Sequence, residues 1–414
     1  MEPFSFAKTL MCRTCGRSYP LSPMLEGCPD CRVAGRIAML DPTYALDAAD
    51  GGMLPAAPGH LWDYHRLLPL PDAAAQVTLG EGGTPLLPLP GMAAETGAAH
   101  VYIKYEAINP THSFKDRANA VAVSMAKYFN LGKVMCTSTG NHGVALAAYA
   151  ARAGLRCLVL LPPGAPPAAA VEIRFYGADA VMIDGDVVPL MTRLWREHDW
   201  YVSQRNAPGV AGRPFGNPFG MEGYKTIAYE IFQQLGRVPD RVFMPVGGGD
   251  GAWGIYKGFD ELQRIGATTS VPRIVVCQSA AGAPLVNAYR NRLAQVATVP
   301  ASTTIAFSIV DRHSGDHALW AIQRSNGQAV EVTDEQLREA EAVFGRTGIC
   351  VEPSSAASLA GLRRLARSDE RFDSETVVLI GTGAGLRWPA TFDRVAPPPR
   401  AEASLESLGR VIEL

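Results

Sequence analysis

The stretch KVMCTSTGNHGVALAAYAARAGLRCLVLLP, residues 133–162, decides the fold class. It opens on a short apolar run (KVMCTS), turns through small residues at 138–143, continues as the alanine-rich GVALAAYAARAG and closes on a second apolar run (RCLVLLP). Short apolar runs without polar alternation suit strands buried on both faces, and the alanine-rich segment between them suits a helix. Strand, helix and strand in that order imply a parallel pair. The pattern extends outward from there. VYIKYE (101–106), DAVMID (179–184), RVFMPV (241–246), RIVVCQ (273–278) and TVVLIGT (376–382) read as further strands. DRANAVAVSMAKYF (116–129), AAAVEIRFYG (168–177), YKTIAYEIFQQLG (224–236), DEQLREAEAVFGRTG (334–348) and SSAASLAGLRRLA (354–366) read as helices. The expected class is α/β, with parallel sheets covered by helices on both faces.

With 414 residues, the chain is long enough for two core-bearing lobes and small appendages. A hydrophobic fraction of 47% and a charged fraction of 19% suit an ordinary globular protein. The 38 basic and 40 acidic residues are dispersed, for a net charge of −2, which argues against a nucleic-acid or anionic-membrane surface. No signal pattern or membrane-length apolar run is visible, so a cytoplasmic location is expected. Residues 393–414 read as a proline linker followed by a short amphipathic helix docked on the body or on a partner subunit.

The eight cysteines fall into two groups. Cys136, Cys157, Cys277 and Cys350 stand singly in apolar surroundings, as small buried hydrophobes do. Cys12, Cys15, Cys28 and Cys31 form two C-x-x-C pairs separated by twelve residues, in a segment too short to bury its own core. Four thiolates in paired knuckles suit a closed tetrahedral structural zinc site, and disulfides are disfavoured in a reducing cytoplasm.

Four segments carry the chemistry. NPTHSFKDR (109–117) places Lys115 where a loop becomes a helix, beside Phe114, a setting in which an amine that forms a Schiff base can be held and kept partly neutral. STGNHG (138–143) offers backbone N–H groups at a helix start, where an anion such as a carboxylate binds well. PVGGGDGAWG (245–254) presents consecutive amides without Cβ atoms, a cradle for a phosphate. It fits neither the dinucleotide GxGxxG nor the Walker pattern, which points to a phosphate smaller than a nucleotide's. VVLIGTGAGLRWP (377–389) ends an apolar strand at Thr382, in the crevice where α/β sheets bind ligands.

In this order the four segments resemble the fold-type II pyridoxal-phosphate (PLP) enzymes, and most closely the threonine synthases. LGEGGTPL (79–86), EGYKTIAYEI (222–231) and GICVEPSSAASLAGL (348–362) strengthen the likeness, which spans roughly residues 60–390. The resemblance implies PLP on Lys115 as a Schiff base, Asn141 on its phenolic oxygen and Thr382 facing its pyridine nitrogen. It gives the phosphate to Gly247, Gly248, Gly249 and Gly251, and the substrate carboxylate to Ser138, Thr139 and His142. Members of the family often carry an N-terminal zinc ribbon. The implied organisation is a ribbon at 1–40, a large PLP-binding lobe at 41–133 and 206–392, a small lobe at 134–205, and the tail at 393–414. A small amino-acid substrate and a homodimer or larger homo-oligomer are expected with it. PLP makes a carbanion next to the imine tolerable, and a neutral pyridine partner such as Thr382 biases the outcome towards elimination. Lys115, once displaced, is the natural base for the α-proton.

Departures from the family pattern bear on the substrate. Where threonine synthases have NPTGSFKDRG, this chain has His112 and Ala118, and its GNHG is shared with many serine/threonine and diaminopropionate ammonia-lyases. A Ser-x-Asn-Pro-x-Arg pattern that engages substrate phosphate in threonine synthases here has Phe215 and Gly220 at its serine and arginine positions. The usual SIRVGNP-like stretch reads SIVDRHSGDH (308–317), leaving Arg205, Arg213 and Arg312 as substitute phosphate partners. Three reactions of one chemistry stay open: conversion of O-phosphohomoserine to threonine and phosphate, ammonia-lyase elimination, and β-replacement of the cysteate or cysteine type. From a different class, a non-catalytic PLP-fold module is opposed by the joint retention of Lys115, Asn141, the glycine loop and Thr382.

Overall fold

The computed structural model describes residues 3–34, 38–46, 53–138, 140–204, 216–368, 370–388, 391–392 and 395–413. Its largest sheet has six strands in the order Gln328–Val332, Arg273–Ser279, Arg241–Pro245, Thr376–Gly381, His100–Tyr105, Leu86–Pro88. The neighbours run parallel except Leu86–Pro88, which is antiparallel to His100–Tyr105. A second sheet of four parallel strands is ordered Asp179–Met182, Arg156–Leu161, Lys133–Thr137, Tyr201–Val202. The stretch 133–162 thus forms the expected strand–helix–strand unit, with Asn141–Ala153 as its helix.

Side chains alternate faces along a strand, and the large sheet shows what that does. Val242, Met244, Ile274, Val276, Val378 and Ile380 pack into one core with Ile227, Ile231, Ile255 and Phe259 of the helices Lys225–Leu235 and Asp250–Arg264. Their neighbours Phe243, Val275, Cys277, Val377 and Leu379 pack into another with Leu337, Phe344, Leu359 and Leu362 of Asp334–Arg346 and Pro353–Ala366. Both faces are covered, which is why these strands read as unbroken apolar runs.

Strand order positions the chemistry. Thr376–Gly381, late in the chain, inserts between Arg241–Pro245 and His100–Tyr105, bringing residues 382–384 against the loop that leads to Lys115. The Phe114 N–H donates to the Thr382 carbonyl (2.8 Å), and Ser113 bridges to Gly383. The glycine turn after Pro245 and the turn after Thr137 also lie at strand carboxyl ends, where open α/β sheets bind ligands.

The N-terminal segment forms a three-stranded antiparallel sheet (Ser18–Tyr19, Ala7–Cys12, Leu40–Tyr44). Its Asp41 joins a buried ion network with Lys257 (3.1 Å), Glu222 and Lys225, which ties it to the large-sheet helices. The C-terminal helix Leu405–Gly409 differs from the docked helix expected for the body. Leu405 is 78% exposed, with Leu408, Val411 and Ile412 exposed beside it, so no apolar face is buried there. No helix among the described residues is long and apolar enough to cross a membrane.

Candidate active site

A cavity of about 270 Å³ opens at the strand ends, and Lys115, Ser138, Asn141, His142, the turn Gly247–Gly251 and Thr382 all line it. Every sequence-derived cofactor and carboxylate residue of the described chain therefore meets in one place, whereas Arg312, named as a substitute phosphate partner, is not among the residues that line the cavity. Thr139, Phe215, Arg205 and Arg213 lie outside the described residues.

Lys115 begins the helix Lys115–Tyr128, half-buried, with its Nζ 4.4 Å from the Phe114 ring centroid and 5.6 Å from that of Tyr224. Burial lowers its pKa against the opposing pull of Asp250 and Glu352, which favours the neutral, nucleophilic amine. The loop before it is pinned by Asp116, whose carboxylate accepts from the Thr111 N–H (3.1 Å) and hydroxyl (2.9 Å). His112 adopts φ 62, the left-handed region, at the position where the threonine synthase pattern has glycine. Histidine tolerates that region better than most residues do.

Asn141, 6% exposed at the first turn of its helix, has both ends of its amide engaged. Nδ2 donates to Glu352 Oε2 (2.8 Å), and Oδ1 accepts from Arg387 Nη1 (2.8 Å). Ser138 Oγ accepts from the Gly140 and Gly143 N–H groups (3.0 and 2.9 Å), holding the turn in shape. His142 Nε2 lies 2.9 Å from Ser203 Oγ and its Nδ1 3.4 Å from Asn119 Nδ2. Burial, helped by Lys115, lowers the His142 pKa to about 3, so the ring is neutral.

The glycine turn fits a phosphate on structural grounds. Gly249, at φ 113, leads directly into the helix Asp250–Arg264, whose first N–H groups have no intrahelical acceptor. A Cβ on Gly249 would come 2.6 Å from Ala318 Cβ, and one on Gly251 2.4 Å from Met244 Cε. At cavity-lining Gly248 it would meet no atom within 4 Å. The missing Cβ of Gly248 thus leaves room for a ligand, while those of Gly249 and Gly251 let the turn pack. Asp250 is half-buried on the same turn, 3.0 Å from His317 Nε2. Opposite, Thr382 Oγ1 lies 2.7 Å from Ser355 Oγ, which also accepts from the Gly383 N–H (2.8 Å).

A pattern match to the family of pyridoxal-phosphate-dependent enzymes covers residues 77–383, most of the chain and all of this cavity's sequence-derived residues. The chain belongs to that family. Within it, the threonine synthase of Methanocaldococcus jannaschii is 35% identical over 412 residues, covering 97% of this chain and 98% of the relative. That of Halalkalibacterium halodurans is 37% identical over 335 residues, 80% of this chain and 90% of the relative. Maize serine racemase superposes with a TM-score of 0.63 at 20% identity, covering 73% of this chain and 88% of the racemase, which shows the shared fold. This PLP-dependent enzyme thus has the α/β architecture expected from its strand–helix order, in the fold-type II form that the motif resemblance implied.

Several site residues were not singled out from sequence: Glu352, Arg387, Ser355, Ser203 and Asp250. All but Ser203 lie in motifs whose other members drew the reading, but their contacts span the fold. Asn141 and Glu352, for example, are 211 positions apart.

Away from the cavity, the Sγ atoms of Cys12, Cys15, Cys28 and Cys31 lie within 4.8 Å of one another. The pairs Cys12–Cys31 and Cys15–Cys28 are 3.8 and 3.7 Å apart, far beyond the ~2.05 Å of a disulfide. Ligands at ~2.3 Å from a tetrahedral zinc are separated by about 3.8 Å, the spacing of these two pairs. The Thr14 and Cys15 N–H groups both point to Cys12 Sγ (3.4 Å each).

Proposed function

We propose that the chain is a threonine synthase-type lyase that eliminates phosphate from O-phosphohomoserine and adds water to give threonine. Its end-to-end similarity to threonine synthases carries the reading. Lys115 is the covalent anchor of PLP and the base for the α-proton, and its lowered pKa suits both tasks. Gly247, Gly248, Gly249 and Gly251 hold the cofactor phosphate, Thr382 the pyridine nitrogen and Asn141 the phenolic oxygen. When bound, PLP supplies the electron sink. The 138–142 turn, with Ser138, Thr139 and His142, takes the carboxylate of a small amino-acid substrate. His142, whose pKa near 3 makes it a weak base, leaves the α-proton to Lys115.

A second reading, ammonia-lyase elimination from a hydroxy- or amino-substituted amino acid, has its own support. A Cβ on Gly220 would lie 3.1 Å from the Ala118 carbonyl and 3.2 Å from that of Ser203, so the family's arginine position is packed shut. Asp311 lines the cavity from outside the glycine turn, and a carboxylate there disfavours a dianionic substrate phosphate. Phosphate release from O-phosphohomoserine, set against oxo-acid release from threonine, serine and diaminopropionate, separates the two in one preparation. An inert phosphohomoserine with active threonine or serine refutes the synthase.

The cysteine cluster is read as one structural zinc with no catalytic part, in a ribbon over residues 1–40. A reducing cytoplasm suits its free thiols. The division into lobes at 41–133 with 206–392 and at 134–205 is supported by the separate six-stranded mixed and four-stranded parallel sheets, and the exposed apolar residues of the tail at 393–414 suit a homodimer or larger homo-oligomer.

A further inference from the structure

Arg387 is buried, 8% exposed, just past the strand that ends at Gly381. Its Nε and Nη2 donate to the two carboxylate oxygens of Glu172 (2.7 and 3.0 Å), on the helix Pro167–Phe175. Nη2 also donates to the Thr111 carbonyl (3.2 Å), in the loop that delivers Lys115, and Nη1 donates to Asn141 Oδ1 (2.8 Å). A guanidinium held by a bidentate carboxylate is fixed in plane as well as in place. Asparagine has one accepting end and one donating end, and arginine can only donate. The accepting end of Asn141 must therefore face Arg387. Its Nδ2 gives one N–H to Glu352 and keeps a second. A flipped amide would set NH₂ against the guanidinium and a carbonyl against the carboxylate, losing both bonds.

We infer that Arg387 is a positioning residue, which with Glu172 and Glu352 fixes the Asn141 amide so that an N–H, and not a carbonyl, is offered to the cofactor's phenolic oxygen. The inference rests on Asn141 as the phenolic contact. A donor at that oxygen favours its ionised form, and a carbonyl there opposes it. The sheet order makes the clamp possible, because Arg387, in the loop after an interior strand of the large sheet, meets two helices that pack on the other.

Apoprotein of Arg387→Met, Arg387→Lys, Asn141→Ala and the double variants is titrated with PLP, following affinity by dialysis and the bound cofactor's visible band across pH. Arg387→Met is expected to weaken PLP about tenfold or more and to move the pH midpoint of the band. Arg387→Lys, which keeps a charge and can reach one acceptor, falls between. In the Asn141→Ala background Arg387→Met should change affinity by less than about twofold, since coupled residues are not additive. Fully additive losses, or a folded Arg387→Met with unchanged band and affinity, remove Arg387 from this role. If Arg387→Met does not fold, the same additivity comparison with Arg387→Lys decides. An Asn141→Ala protein with wild-type band and affinity instead sinks the phenolic contact, and the inference with it.

Discussion

Two adjacent glycines give a sharp separation between holding the fold and holding the cofactor. Alanine at Gly249 would place a side chain at φ 113 and a Cβ 2.6 Å from Ala318 Cβ and 3.3 Å from His317 Nε2. The backbone strain costs about 1–3 kcal/mol, and the overlap about as much again. The apoprotein should therefore lose about 2–6 kcal/mol of stability. Alanine at Gly248 meets no atom within 4 Å and needs no left-handed backbone, so apoprotein stability should move by less than about 1 kcal/mol. On the phosphate reading the same methyl adds bulk to a residue that lines the cavity, where the cofactor phosphate would need close backbone approach. Losing one charge-assisted bond there costs about 1.5–3 kcal/mol, a PLP affinity drop of ten- to a hundredfold. Denaturant unfolding of the apoproteins and PLP titration by absorbance measure the two effects on the same samples. Unchanged PLP affinity in Gly248→Ala would refute the phosphate cradle, and a fully stable Gly249→Ala would refute the packing argument.

Other outcomes follow from the same geometry. Metal analysis of protein purified without chelators should find one zinc per chain, and Cys28→Ser should lose it; metal-free protein with intact cysteines counts against the site. Glu230→Ala leaves the buried cations of Lys104 (2.6 Å) and Arg117 short of a partner, at a cost of about 3–5 kcal/mol in denaturant unfolding; a loss under about 1 kcal/mol would contradict that. An unfolded histidine takes up its proton near pH 6.5 and folded His142 only near 3, so stability is lost as pH falls across that window, whereas Asp116, raised to about 7, acts oppositely between 3.8 and 7. The stability difference between wild type and His142→Gln isolates the first effect, and a difference flat from pH 7 to 4 disproves it. Asp311→Asn should raise kcat/KM for O-phosphohomoserine relative to amino-substituted substrates; no change in that ratio removes Asp311 from selection.

The strands buried on both faces were legible because apolar runs leave little alternative. Gln328–Val332 escaped notice because it alternates polar and apolar residues, as its edge position allows, and Leu86–Pro88 and Tyr201–Val202 are too short to show a period. The helix Val188–His198 starts at a valine–proline pair that reads as a turn, and Asp316–Arg324 begins inside a stretch read for its charges. In the site, Lys115, the glycine turn and Thr382 announced themselves because each needs a particular local backbone. Their supports did not. Glu352, Ser355 and Arg387 gain meaning only when strand order sets them beside residues 211, 27 and 246 positions away.

That division also explains why the chemistry is easier to read than the substrate. On the proposed assignment, the phosphate turn and the neutral pyridine partner stand at strand ends and the amine at a helix start, where local sequence dictates geometry. On the proposed function, the substrate would face the part of the cavity wall built by Phe307, Asp311, His313 and Gln204, which belong to connections between elements. Such a wall can change its charge without disturbing the sheets behind it. Gly220 shows the limit of that freedom, since its place against Ala118 abuts the helix that carries Lys115. An arginine reinstated there would press its Cβ on the Ala118 and Ser203 carbonyls, so the helix that begins at Lys115 would have to give by a few tenths of an ångström to admit it.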